Sequence, residues 1–162
     1  MADWRAMVEK DLPLVSAIAQ KVHPSFFEDD PVFAERLRLA PEGCWICEGR
    51  DGALGYVLSH PWTLAAPPAL NSPLGSLPGV PDTFYIHDLA LLPATRGTGV
   101  ARKIVEILIG TASPYSTMSL VAVNGSAPFW SRFGFAVSDR PDLAPKLASY
   151  APDARLMVRQ RV

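Results

Sequence analysis

Between Asp11 and Val22 the apolar positions recur at helical spacing. Leu14, Ile18 and Val22 fall on one stripe, and Leu12 and Val15 widen it. Asp11 stands where an N-cap belongs and Pro13 falls in the first turn, so the segment predicts an amphipathic helix. A loop over residues 23–29 follows. Asp30-Pro31 then opens a second helix through Val32, Phe33, Leu37 and Leu39, with Asp30 as N-cap and Pro31 at the first helical position, and Pro41-Glu42-Gly43 ends it. Residues 44–48 and 54–59 read as strands joined at the turn Arg50-Asp51-Gly52, so two helices precede an antiparallel pair.

The pattern then breaks. Pro61, Pro67, Pro68, Pro73, Pro78 and Pro81 crowd residues 61–82 with Gly75 and Gly79, a proline density that removes strand donors and predicts a long ordered loop. Residues 83–92, Thr-Phe-Tyr-Ile-His-Asp-Leu-Ala-Leu-Leu, form the strongest strand, closed by Pro93. A third helix is predicted over 100–109, with Ala101, Ile104, Val105 and Leu108 inward and Gly110 as its stop. Strands over 119–123, 135–138 and 156–161 and a short helix over 128–132 complete the chain. This alternation implies an α/β fold.

Composition narrows the class. The 162 residues suit one domain, read here as 1–162, and 49% of them are hydrophobic, enough for a sizeable core. A net charge of −1 argues against bulk nucleic acid and against a membrane surface as partners. No run approaches the roughly 18 apolar residues that a membrane span needs. Residues 1–10 mix both charge signs and lack the plan of a signal peptide, so the expected compartment is the cytoplasm. Cys44 and Cys47 sit in a strand pattern that turns them to opposite faces, and no second pair exists to complete a zinc site; no metal is expected.

The sharpest signal lies between the strongest strand and the third helix. Arg96-Gly97-Thr98-Gly99 leads straight into Val100-Ala101, and glycines at a helix N-terminus expose N–H groups to an anion. Arg96 and Arg102 add charge-assisted contacts. A Walker loop needs Lys-Ser or Lys-Thr after the last glycine, and a dinucleotide loop needs a third glycine where Arg102 stands, so neither fits.

Arg96-Gly97-Thr98-Gly99-Val100-Ala101 matches the Arg/Gln-x-x-Gly-x-Gly/Ala signature of the GCN5-related N-acetyltransferase (GNAT) superfamily, and residues 88–99 resemble that superfamily's fourth strand and the loop after it. Val123-Asn124-Gly125-Ser126-Ala127-Pro128-Phe129-Trp130, running on to Gly134-Phe135, resembles its Asn-x-x-Ala segment beside the cofactor's thiol. The resemblance implies a mixed, mostly antiparallel sheet flanked by helices, with fourth and fifth strands splayed apart. It implies acetyl-CoA as cofactor and acyl transfer by direct attack of a primary amine, on a small molecule or a peptide. Backbone groups near Leu89, Ala90 and Leu91 would hold the pantetheine arm, an N–H of Leu91 or Leu92 would face the thioester oxygen, and Asn124, Phe129 and Trp130 would flank the cofactor.

His87 and Asp88 are the candidate bases, and the choice between them is open; a regular strand would turn them to opposite faces. Asp88 stands eight residues before Arg96, where many members of the superfamily carry an acid. Trp130 replaces the usual tyrosine acid, leaving Tyr85, Ser131 or water for that role. The resemblance places the acceptor near Phe26, Phe27, Glu28 and Asp29, with the proline-rich loop (His60, Trp62, Asn71) above it. The missing tyrosine also leaves open a non-catalytic acyl-CoA-binding module. The oligomeric state stays open, a homodimer included.

Overall fold

The computed structural model describes residues 2–161. A seven-stranded sheet runs in the order β1-β2-β3-β4-β5-β7-β6. Its strands are β1 (Asp3–Ala6), β2 (Cys44–Gly49), β3 (Gly52–Trp62), β4 (Thr83–Leu91), β5 (Thr117–Ala122), β6 (Ala136–Val137) and β7 (Arg155–Gln160). Every neighbouring pair is antiparallel except β4 and β5. The helices are α1 (Leu12–Val22), α2 (Asp30–Leu39), α3 (Val100–Thr111), α4 (Ala127–Ser131) and α5 (Ala144–Tyr150). The result is the expected mixed, mostly antiparallel α/β architecture.

The sheet has a core on each face. On one, α3 buries Val100, Ile104, Val105 and Leu108 against Val57, Phe84, Ile86, Met118 and Leu120. On the other, Val15 and Ile18 of α1 and Phe33 of α2 pack on Ile46, Tyr56, Leu58 and Ala90. Cys44 belongs to the second core and Cys47 to the first, so the two thiols face opposite sides, as strand alternation requires.

Several expectations need correction. The chain opens on a strand, not a helix. β1 pairs with β2, and its Trp4 indole N–H donates to the Val100 carbonyl at 2.8 Å, tying the strand to α3. Only four residues long and half polar, β1 carries too little alternation to be read from sequence. Asp11 is the N-cap residue of α1, as expected, but its side chain makes no capping bond. Its carboxylate accepts the Val8 N–H at 2.8 Å and pairs with Arg5, and the buried stripe of α1 centres on Val15 and Ile18 with Leu14 exposed. Asp29, not Asp30, is the N-cap residue of α2. β3 runs on through His60-Pro61-Trp62, paired with Thr83–Tyr85 of β4, while β2 pairs with it only as far as Leu58. Pro61 therefore lies on a free edge where no donor is missed. Gly110 does not stop α3, which continues to Thr111. Helix α5 was not foreseen; it is short and buries none of its residues fully.

Candidate active site

β4 and β5 pair only over Thr83–Tyr85 and Thr117–Ser119. Beyond Tyr85 they part, and the wedge opens into a cavity of about 570 Å³. Leu92 donates its N–H to the Leu54 carbonyl of the β3 side at 2.9 Å. Strand alternation then turns the backbone groups of Ala90 toward β3 and those of Leu89 and Leu91 toward the wedge. Of the backbone groups expected there, Leu89 and Leu91 are available to an extended ligand, whereas Ala90 and Leu92 are committed to the sheet.

A bulge decides where the candidate bases point. Asp88 pairs with Leu58 and Ile86 with Ser59, which leaves His87 as the extra residue of β4. Phe84 and Ile86 face the α3 core before the bulge, and Leu89 and Leu91 face it afterwards. The three-residue step between Ile86 and Leu89 sends His87 and Asp88 to the same, opposite face. The expectation that a regular strand would separate them fails because the strand is not regular.

Each of the two meets a partner from the α1–α2 region. His87 Nε2 lies 2.7 Å from Glu28 Oε1, with both side chains buried. Glu28 Oε2 also accepts the Asn71 N–H at 3.0 Å. Asp88 Oδ1 lies 2.8 Å from His23 Nε2, and Asp88 Oδ2 accepts the Tyr56 hydroxyl. Burial lowers the proton affinity of His23, but the bond to Asp88 outweighs it, and its pKa stands above the ordinary value. Burial, with Asp88 beside it, pushes the Tyr56 phenol well above its usual range, so Tyr56 remains a donor.

The phosphate loop closes the other end. Gly97 and Gly99 adopt φ of 74° and 82°, the left-handed region that favours glycine. A Cβ built on either meets no atom within 4 Å, so both glycines border open space. The Thr98 hydroxyl turns back onto the Thr95 carbonyl. The first intrahelical bond of α3 runs from Lys103 N to Gly99 O, which leaves the N–H groups of Val100, Ala101 and Arg102 without helical acceptors. A depression of about 380 Å³ over this loop is lined by Arg96, Gly97, Gly99, Ala101, Phe129 and Arg132, among others. The residues present therefore fit a pyrophosphate: an open glycine cradle, free N–H groups and two guanidinium groups.

The remaining candidates divide. Phe26 and Glu28 line the cavity, whereas Phe27 is exposed and Asp29 faces Asn71, with its N–H 2.8 Å from Asn71 Oδ1. Asn124, Phe129 and Trp130 line it too. Val100 is a core side chain that offers only its backbone to a ligand. Arg102 lies outside both recesses, exposed beside Glu106 at 3.9 Å and over the Phe133 ring. Ser131 is also outside. Tyr85 lines the cavity as a buried side chain, and Tyr150 beside it donates to the Pro68 carbonyl.

The proline-rich segment is a fixed wall. Leu74 and Gly75 donate N–H groups to Glu35 at 2.7 and 3.0 Å, and the fully buried Arg36 donates to the Ser72 carbonyl at 2.9 Å. Leu70 is its contribution to the cavity, while His60, Trp62 and Asn71 stay behind. Burial holds His60 neutral, with a pKa lowered to about 3.

Sequence reasoning missed His23, Tyr56, Leu70, Arg132 and Tyr150. A histidine at the end of an amphipathic helix, in a loop with carboxylates, was a usable signal for His23. The others carry none, because strand pairing and loop closure bring them in.

Residues 9–135 match the model of the acetyltransferase (GNAT) family. The chain belongs to the GNAT family. No curated protein matches this GNAT chain. Solved structures share its fold over nearly its whole length. The loading GNAT-like domain of CurA from Lyngbya majuscula is 14% identical, with 99% of this chain and 98% of that one covered and a TM-score of 0.76. The ribosomal-protein-S18-alanine N-acetyltransferase of Escherichia coli is 17% identical, with 99% and 94% covered and a TM-score of 0.68. N-acetylglutamate synthase of Neisseria gonorrhoeae, solved with coenzyme A and N-acetyl-glutamate, is 13% identical and covers all of this GNAT protein with 35% of its own chain, at a TM-score of 0.71. No helix among the described residues is long and apolar enough to cross a membrane.

Proposed function

We propose that the protein transfers an acyl group, acetyl in the first instance, from acyl-CoA to a primary amine by direct attack. The observation that carries this reading is one continuous cavity that includes His87 and Asp88 at one end and Arg96 of the phosphate loop at the other. That span suits a thioester held in the β4–β5 wedge with its pyrophosphate on the glycines and an amine arriving from the α1–α2 side. Coenzyme A, bound to a relative of the same fold, supports the choice of cofactor.

Of the two candidate bases, His87 fits better. Both oxygens of Asp88 are committed, to His23 and to Tyr56. Glu28 accepts a hydrogen bond from His87 Nε2, and His87 Nδ1 has no partner among the described hydrogen bonds. A carboxylate on one ring nitrogen fixes the tautomer and leaves the other nitrogen as the acceptor for a proton. His87 takes the proton of the amine; Leu91 N–H, which faces the wedge, donates to the thioester oxygen as charge develops there. Attack forms the C–N bond, collapse breaks the C–S bond, and the proton lost by nitrogen ends on the thiol. Glu28 thus orients the base rather than binding the acceptor directly.

The test is free-thiol release from acetyl-CoA with a panel of amines, alongside calorimetric binding of CoA. Turnover with at least one amine, lost in His87→Ala with CoA affinity retained, is the expected result. Tight CoA binding with no turnover across the panel would replace the enzyme by a binding module. No CoA binding would overturn the site itself.

A further inference from the structure

The acceptor side of the cavity offers no uncommitted cation. Glu28 and Asp88 both line it, and each is already paired with a histidine. Among the described lining residues the only arginine is Arg96, which belongs to the phosphate loop, and no lysine lines it. Arg36 is fully buried behind the wall, with its Nη1 held by Glu35 Oε1 at 3.0 Å and by the Ser72 carbonyl. The rest of the acceptor wall is apolar or aromatic: Val22, Phe26, Leu70 and Tyr150.

A substrate carboxylate carried beside the reacting nitrogen would enter a space whose two carboxylates, Glu28 and Asp88, already hold the histidines His87 and His23, with no further cation on the acceptor wall to pair it. Taking a carboxylate out of water without a partner is strongly unfavourable. An amine with a neutral or cationic body meets no such penalty, and the aromatic and apolar wall favours it. We infer that the acceptor is a primary amine without a carboxylate on the adjoining carbon, so that decarboxylated amines and amide-bearing amines are accepted and free α-amino acids are rejected. This rests on the amine acyltransferase reading and narrows its substrate class.

The experiment compares matched acceptors with the unmodified protein: phenylethylamine, phenylalaninamide and phenylalanine, then isoamylamine, leucinamide and leucine. Thiol release from acetyl-CoA gives kcat/KM for each, corrected for the fraction of amine in the free-base form. The amine and the amide are expected to exceed the amino acid by at least about tenfold in each set, since leaving a desolvated carboxylate without a partner costs enough to account for that factor. Equal values for amino acid and amine overturn the inference while leaving the acyltransferase reading intact. An amide as poor as the amino acid overturns it too, because bulk and not charge would then discriminate. Turnover with none of the six probes overturns the inference together with the reading beneath it.

Discussion

Asp88→Asn tests the charge network that lines the cavity beside β4 with little change in shape. Asp88 receives two donors, His23 Nε2 at 2.8 Å and the Tyr56 hydroxyl, with only 20% of the His23 side chain and 14% of the Asp88 side chain exposed. An asparagine oxygen can keep Tyr56, but its N–H then points at His23. A neutral imidazole nitrogen accepts that hydrogen, whereas an imidazolium has only donors to offer. The cost therefore depends on protonation of His23. The His23 pKa in the folded chain lies above the ordinary 6.5: burial opposes the proton, but the Asp88 bond outweighs it. A raised folded value contributes stability that is fully present below the unfolded pKa and fades as pH rises through the folded one. A hydrogen bond between charged partners contributes about 1.5–3 kcal/mol net. The variant should lose about that much near pH 6 and less than about 1 kcal/mol near pH 9. For a chain of this size the acid-side loss corresponds to a fall of about 3–12 °C in Tm. Urea unfolding of both proteins across this pH range measures the difference. A loss that stays constant with pH, or grows toward alkaline pH, refutes the assignment of a charged His23–Asp88 pair.

Three further outcomes follow from the same geometry. Gly99→Glu places a carboxylate in the open space beside the free N–H groups of α3, and CoA affinity should fall by more than about tenfold in calorimetry; an unchanged Kd in a folded variant removes the phosphate loop from the site. Gly43→Ala would set a Cβ 2.1 Å from the Ser59 carbonyl oxygen. Because that neighbour is backbone, a loss of more than about 2 kcal/mol is expected on urea unfolding, and a loss under about 0.5 kcal/mol would contradict the packing. Cys44 and Cys47 are fully buried, and desolvation pushes the Cys44 thiol up to about 12. Both should resist a thiol reagent in the native state and react only at the rate of unfolding; fast labelling without denaturant would contradict this burial.

How much of this was legible beforehand depended on the range of each signal. Periodicity over ten residues marks α3, and a glycine pair at its start marks the left-handed loop that opens it, because helix termini and left-handed backbone are local properties of the chain. Thus the loop, the β4 strand, the family and the α/β class could all be read from residues 83–135. Boundaries and short elements could not: Asp11 was drawn away to Val8 and Arg5, and β1 exists because Trp4 finds the Val100 carbonyl 96 residues away.

The site lies between these limits. His87 and Asp88 are conspicuous in sequence as polar residues in an apolar strand, but alternation alone assigns them opposite faces. Only the register of β4 against β3 creates the bulge that turns both toward α1 and α2. The same holds for their partners. Glu28, expected at an acceptor, meets His87, while His23 and Tyr56 come to Asp88 from a helix end and a neighbouring strand. A sequence specifies which residues can ionise, donate or turn, since those are properties of each side chain and its immediate backbone. Which of them meet is set by strand register and by the closure of residues 63–82 against Glu28, Glu35 and Arg36, and those are properties of the packed chain as a whole.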